Sequence, residues 1–322
     1  MHSVTTAISN EEVRRFMREL SHSRPVTKPR RPASLGELIA AGARRLARAR
    51  VHFGHGTDNA WDESAALVLH AVRRPGRSAA RGYSAPIGVR AAAAARALIE
   101  ERIRRRVPAV YLTGRTYFAG LEFRVDPRVL IPRSPLAELI ERAFAPWVRA
   151  TRVRRLLDLG TGSACIAVAC AKAFPAARVD AVDLSDAALE VARANVRRHR
   201  VGARVRLLKS DHFSALGKAR YDIIVSNPPY VGARELQALP PEYRHEPRMA
   251  LAAGRAGLDS VRIILREAGR HLRPHGILVV EVGNSERAVR RAFPRLPFTW
   301  LEFERGGGGV FLLTAEQLRT VA

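Results

Sequence analysis

Ser226-Asn227-Pro228-Pro229-Tyr230 closes the apolar run Tyr221-Asp222-Ile223-Ile224-Val225. Proline lacks an N–H and has a fixed φ, so a strand that meets two prolines cannot extend its ladder. The loop that follows is rigid and presents an amide side chain, proline-flanked carbonyls and an aromatic ring. Those groups suit the grip of a planar amide or amine, with acceptors for its N–H groups and a ring to lie against it. A plain proline turn has the same composition. What stands upstream decides between the two.

Upstream, Asp158-Leu159-Gly160-Thr161-Gly162-Ser163-Ala164 follows the apolar run Val153 to Leu159 and precedes a helical one ending at Phe174. Glycines there let backbone approach a ligand at a helix N-terminus. A dinucleotide-binding loop uses similar parts. Here its third glycine is missing, and an acidic residue precedes the loop. That acid is a poor neighbour for pyrophosphate and a good one for a cation. Further acids end the next two strands, Asp183 and then Asp211, with His212 beside it.

Asp183 is placed to accept both ribose hydroxyls, and Asp211 to meet an adenine amine. Helix capping is the plain alternative for both, and Asp186 after Ser185 could equally cap. A ligand with an ammonium, a ribose, an adenine and a sulfonium, but no phosphate, is S-adenosylmethionine. The expected cofactor set is therefore Asp158, Gly160, Thr161, Gly162, Ser163, Asp183, Asp211 and His212, with Asn227 shared. Asn227, Pro228, Pro229 and Tyr230 face the acceptor; Asn227, Pro228 and Tyr230 are the catalytic candidates.

The elements that position these residues are readable. Strands at Val153–Leu159, Arg178–Leu184, Val205–Lys209, Tyr221–Ser226 and Ile277–Val282 alternate with helices, which predicts an α/β doubly wound parallel sheet. A glycine turn at Arg305–Gly309 joins two last strands, so an antiparallel strand should end it. Residues 1–33 read as a basic, disordered tail. Residues 34–108 read as a small helical domain for substrate recognition, capped at Ser34, with Leu35, Leu38, Ile39, Ala43 and Leu46 inward. Its second helix, from Asn59 to about Val72, should turn Trp61, Ala65, Leu69 and Val72 inward, with Thr57 or Asp58 as cap. Arg102 to Arg106 read as a solvated face. A β-hairpin and helix linker (109–150) leads to the α/β domain (151–322), with turns at Arg74–Ser84, Ala119-Gly120 and Asp126-Pro127.

The chain has 322 residues and a net charge of +25. Lysine occurs only at positions 28, 172, 209 and 218, so arginine carries the excess. An arginine-plus-alanine bias fits a GC-rich genome as well as phosphate contacts, so the charge admits an RNA-rich partner without naming one. No run approaches the ~20 apolar residues of a membrane span. Neither a signal peptide nor a transit peptide is expected. Cys165 and Cys170 read as a buried helix face, not as a disulfide or metal pair. A reducing cytoplasm and no metal are expected.

Together, Asp158–Ala164, Asp183, Asp211 and Asn227-Pro228-Pro229-Tyr230 resemble class I (Rossmann-like) S-adenosylmethionine-dependent methyltransferases. Helical domain, hairpin, Ile131-Pro132-Arg133 and catalytic domain, in this order, resemble the HemK-like glutamine methyltransferases over nearly the whole chain after residue 34. Within them, residues 55–63, Pro132-Arg133-Ser134-Pro135, Glu242-Tyr243-Arg244-His245-Glu246-Pro247 and Glu281-Val282-Gly283-Asn284-Ser285 look like the branch that acts on large-subunit ribosomal protein L three. The resemblance implies transfer of a methyl group to a glutamine side-chain amide in that protein, free or in an assembling particle, with rRNA contact through the basic surface. The release-factor branch, expected to carry Pro-Arg-Pro, is the alternative. Adenine amine methylation is a further one, against which stands the want of a base-flipping recognition domain. Ala164 stands where the family often has glycine, and its methyl is expected to crowd the cofactor slightly. Glu242, His245 and Glu246 read as structural or lid residues, because this chemistry needs no strong base.

Overall fold

The computed structural model describes residues 33–72 and 82–319. The expected tail, up to residue 32, and most of the 74–84 turn lie outside them.

Three helices, α1 (Leu35–Arg48), α2 (Ala60–Val72) and α3 (Val89–Arg105), share a core that includes Leu38, Ile39, Leu46, Leu67, Val68 and Ile99. Ser34 closes a capping box on α1: its Oγ accepts the Glu37 N–H at 3.2 Å and Glu37 accepts the Ser34 N–H at 2.9 Å. On α2 the cap is Asn59, not Thr57 or Asp58, since Asn59 Oδ1 accepts the Asp62 N–H at 2.9 Å.

The inner face of α2 also differs from expectation. Glu63, Ser64, Leu67 and Val68 are buried, whereas Leu69 is 42% exposed. The cause is that α2 packs against both α1 and α3, and its polar residues find partners there. Ser64 donates to the Ile39 carbonyl at 2.8 Å, and Arg102 of α3 donates to Glu63 at 2.7 Å. Arg102, expected in solvent, is therefore completely buried.

Pro108 starts a short helix, α4 (Ala109–Thr113), at the head of the expected hairpin linker, and Gly114 in the left-handed region ends it. The hairpin β1 (Arg115–Phe118) and β2 (Leu121–Arg124) pairs Thr116 with Phe123 and turns at Ala119-Gly120. Next comes α5 (Leu136–Glu141).

The main sheet holds β3 (Arg155–Leu159), β4 (Arg178–Asp183), β5 (Val205–Lys209), β6 (Tyr221–Ser226), β7 (Leu272–Glu281), β8 (Thr299–Leu301) and β9 (Val310–Thr314). Between them lie α6 (Cys165–Ala173), α7 (Asp186–Arg198), α8 (Ala233–Ala238), α9 (Asp259–His271) and α10 (Glu286–Ala292), with α11 (Ala315–Arg319) last. Strand order is β5-β4-β3-β6-β7-β9-β8. The first five are parallel. Only β9 is reversed, and it sits inside the sheet, pairing Val279 with Leu312 on one side and Trp300 with Phe311 on the other.

Period-two alternation splits the strands between two cores. Leu156 faces the layer that includes α6, and Leu157 and Leu159 face the layer that includes α9. The order reverses between β3 and β6. In an open α/β sheet that switch point opens a crevice beyond the strands' carboxyl ends.

Candidate active site

A cavity of about 280 Å³ occupies that crevice. Gly160, Gly162, Asp183, Asp211 and His212 line it together with Asn227, Pro228 and Pro229. Loops after β3, β4, β5 and β6 thus meet in one space. Leu184 and Met249 also line it, each 51% exposed.

Gly160 and Gly162 have φ of +71° and +54°, and a Cβ on either would project into open space. That is a cradle kept clear for a ligand, with backbone close to it. Thr161 and Ser163 turn inward. Thr161 Oγ1 donates to Asp158 Oδ2 at 2.6 Å, and the Ser163 carbonyl accepts from Asn195 at 2.9 Å. Asp158 lies fully buried beneath the loop, not on the cavity wall, and Oδ2 also accepts the Ala167 N–H at 3.0 Å. Its other oxygen has no hydrogen-bond partner, and burial pushes its carboxyl up to about 7.

Asp183 accepts the Gly162 N–H at 2.8 Å and the Ser185 N–H at 2.9 Å, so it ties the glycine loop to the start of α7. Ser185, not Asp183 or Asp186, caps that helix. Burial raises the Asp183 pKa. Asp211 is 65% exposed and lies 2.6 Å from His212 Nδ1.

At the end of β6, Ser226 Oγ donates to the Leu159 carbonyl at 2.8 Å and ties the two central strands at their ends. Asn227 follows at once. Its Oδ1 is buried and has no hydrogen-bond partner. Tyr230 is off the cavity wall, with its hydroxyl donating to Glu281 Oε1 at 3.3 Å.

Residues 141–239 match the family model described as methyltransferase small domain. Over 288 residues the chain is 46% identical to the ribosomal protein uL3 glutamine methyltransferase of Bordetella pertussis, covering 89% of this chain and 97% of that one. Against the Xanthomonas campestris protein of the same description it is 46% identical over 283 residues (88% and 91% covered), and against the Francisella tularensis one 44% over 273 (83% and 86%). The chain belongs to this family. It is a methyltransferase, and its sheet is the class I, Rossmann-like one.

In this methyltransferase Ala164 does not line the cavity. It lies wholly in the core at φ +63°, a left-handed residue just before α6. Glycine would be favoured there for its backbone freedom, not for room beside the cofactor. Cys165 and Cys170 are free and buried, and burial pushes the Cys165 thiol up to about 12.

Beside the cavity lies a polar cluster drawn from four distant segments, which sequence reasoning placed together only through resemblance. Glu246 accepts from Arg133 through both oxygens (2.6 and 2.8 Å) and from the Ile131 N–H at 3.0 Å. His55, 1% exposed, packs on the Tyr243 ring with centroids 4.4 Å apart, its Nε2 3.6 Å from Glu246. Burial opposes ionisation of Glu246, but the hydrogen bonds and charge of Arg133, with the His55 ring beside it, hold it at about 2. Glu242 accepts the His52 N–H and Arg102, both at 3.0 Å. The 242–246 segment therefore fastens the helical bundle to the sheet domain. The sequence signal for this was slight: two acids, Glu242 and Glu246, four apart in the loop after the proline motif.

Proposed function

We propose that this methyltransferase transfers a methyl group from S-adenosylmethionine to the side-chain amide nitrogen of a glutamine in ribosomal protein uL3. The observation that carries the reading is the buried, partnerless Asn227 Oδ1, in the same cavity as an open glycine cradle and Asp183. A buried acceptor without a donor costs roughly 1–3 kcal/mol, so its donor is expected from a ligand.

The cradle fits the cofactor. Gly160 and Gly162 would bring backbone to it, Asp183 would accept from its ribose, Asp211 and His212 would flank its adenine, and Asp158 would hold the loop from beneath through Thr161 and the Ala167 N–H. When bound, S-adenosylmethionine supplies an electrophilic methyl group on a sulfonium. The chain's own work is positioning. An amide nitrogen is a poor nucleophile because its lone pair is delocalised into the carbonyl. Asn227 Oδ1 and the Pro228 carbonyl would accept one N–H each, fixing the nitrogen and loosening that conjugation. Pro229 lines the cavity beside them, and Tyr230, behind the wall, would anchor the end of the acceptor loop. Orientation of this kind can lower a barrier by roughly 7–11 kcal/mol.

The helical unit (34–108) is the part proposed to recognise the protein acceptor, with 109–150 as linker and 151–322 as catalytic domain. Exposed arginines would add rRNA contact if uL3 is met in an assembling particle. A cytoplasmic site of action follows from that substrate. No helix among the described residues is long and apolar enough to cross a membrane.

The test offers radiolabelled S-adenosylmethionine with uL3, a peptide-chain release factor and DNA in parallel. Label on a uL3 glutamine is expected. Label on the release factor alone would reassign the substrate within the same chemistry, and label on nucleic acid alone would overturn the reading.

A further inference from the structure

Tyr230 is gripped at three points by one five-residue segment. Glu281, the last residue of β7, accepts its phenol hydroxyl at 3.3 Å. Ser285 Oγ donates to its backbone carbonyl at 2.7 Å. Between them Gly283 lies so close to the ring that a Cβ there would sit 2.7 Å from Cε2. Alternate residues 281, 283 and 285 thus touch the phenol, the ring and the carbonyl of one tyrosine. Gly257 closes on the same carbonyl from another loop, leaving 2.3 Å for a Cβ.

Behind this grip stands a second hydroxyl. Ser134 donates to the other carboxylate oxygen of Glu281, and its own Oγ accepts the Leu136 N–H at 3.1 Å, which fixes its direction. Glu281 is 5% exposed, so its two oxygens are committed to Ser134 and Tyr230 in a place that water does not reach. A carboxylate buried at the end of a central strand is costly. Its hydrogen bonds have to yield something, and what they hold is the end of the loop that begins at Asn227.

We propose that Glu281, braced by Ser134, is a positioning residue: it fixes Tyr230 and thereby sets the place of Asn227 and Pro228 against the acceptor amide. This rests on the reading above that Asn227 and Pro228 grip that amide. Asn227 and Tyr230 are three residues apart across two prolines, so a shift at one end is passed to the other with little slack. A misplacement of about 1 Å can cost ~10²-fold in rate.

The experiment compares Glu281→Ala, Glu281→Gln, Tyr230→Phe, Ser134→Ala and the double variant Tyr230→Phe/Glu281→Ala in full-length enzyme. It measures uL3 methylation, S-adenosylmethionine affinity by calorimetry, and the crystal structure of Glu281→Ala. Glu281→Ala and Tyr230→Phe should each lower kcat about tenfold or more, with KM for uL3 and cofactor affinity nearly unchanged. The double variant should be no worse than the poorer single one, because both remove the same link. Glu281→Gln still accepts from the phenol and should stay within about threefold of the parent. Ser134→Ala, the milder change, should fall between. In the crystal, residues 227–229 should be displaced.

Multiplicative losses in the double variant, full kcat in Tyr230→Phe, or an unmoved loop in Glu281→Ala would overturn the inference. If the unaltered enzyme methylates no uL3 glutamine, the substrate reading fails by itself. The crystal structure then still decides whether Glu281 places the loop.

Discussion

Arg102 Nη1 donates to Glu242 Oε1 at 3.0 Å, joining residues 140 positions apart in the chain, and neither side chain is more than 1% exposed. The same guanidinium donates to Glu63 at 2.7 Å and to the His52 carbonyl at 2.6 Å. One arginine thus pairs with two buried carboxylates, one from the helical bundle and one from the loop after β6. Arg102→Met should take the buried cation from both acids, leaving Glu63 the Thr57 hydroxyl and Glu242 the His52 N–H. Removing one partner of a buried ionic cluster costs about 3–5 kcal/mol. Urea denaturation should show a loss of that size, and a change below about 1 kcal/mol would show that the cluster does not hold the two units together.

Glu246 gives the fold an acid limit. Its carboxyl is held at about 2 against an ordinary 4.5. A depressed carboxylate contributes stability above its unfolded pKa and loses it as pH falls through the folded one. The window is therefore from about 4.5 down to about 2, and the contribution at neutral pH is about 3 kcal/mol. Glu246→Gln should lower stability at pH 7 and flatten the acid limb of the curve of melting temperature against pH. An unchanged slope between pH 5 and 3 would remove Glu246 as its source.

Legibility followed the range of the interactions. Strand ends could be read because an apolar run, a glycine or proline stop and an acid are all local signals, and the switch point then gathers them. Asp158, Thr161 and Ser163 were placed in the right loop, but facing was invisible. Only the left-handed turn at Gly160 and Gly162 decides that the glycines meet the cavity while their neighbours turn under it. The inner face of α2 was misread for a different reason. Glu63 and Arg102 are tolerable inside only because each finds the other, and hydropathy at one position cannot report a partner elsewhere. Tyr230 is the same case: its ring type suggested stacking, while its contacts with Glu281, Gly283 and Ser285 depend on β7 lying beside β6.

Asp183 has two separable duties. Its carboxylate holds the Gly162 and Ser185 N–H groups and also faces the cavity. Asp183→Ala should weaken S-adenosylmethionine binding at least about tenfold by calorimetry, and cost roughly 1–3 kcal/mol of stability from the donors left unpaired. Asp183→Asn keeps an acceptor for one of those donors and should recover most of the stability but less of the affinity. Unchanged affinity in the alanine variant would take Asp183 out of the ribose role.

Asn227 should behave in the opposite sense. Its Oδ1 is buried and partnerless, so Asn227→Ala removes an unsatisfied polar atom and gives up no hydrogen bond of that oxygen. Stability should hold or rise slightly, by up to about 1 kcal/mol. Turnover should fall about 10²-fold, since one of the two acceptors for the amide N–H groups is gone. Cofactor affinity should be largely kept, because the glycine cradle and the Asp183 carboxylate are untouched. Single-turnover methylation, calorimetry and thermal melting on the same preparation separate these effects. A variant that is as stable as the parent, binds cofactor and still methylates at the parent rate would show that the orphaned oxygen serves something other than the acceptor.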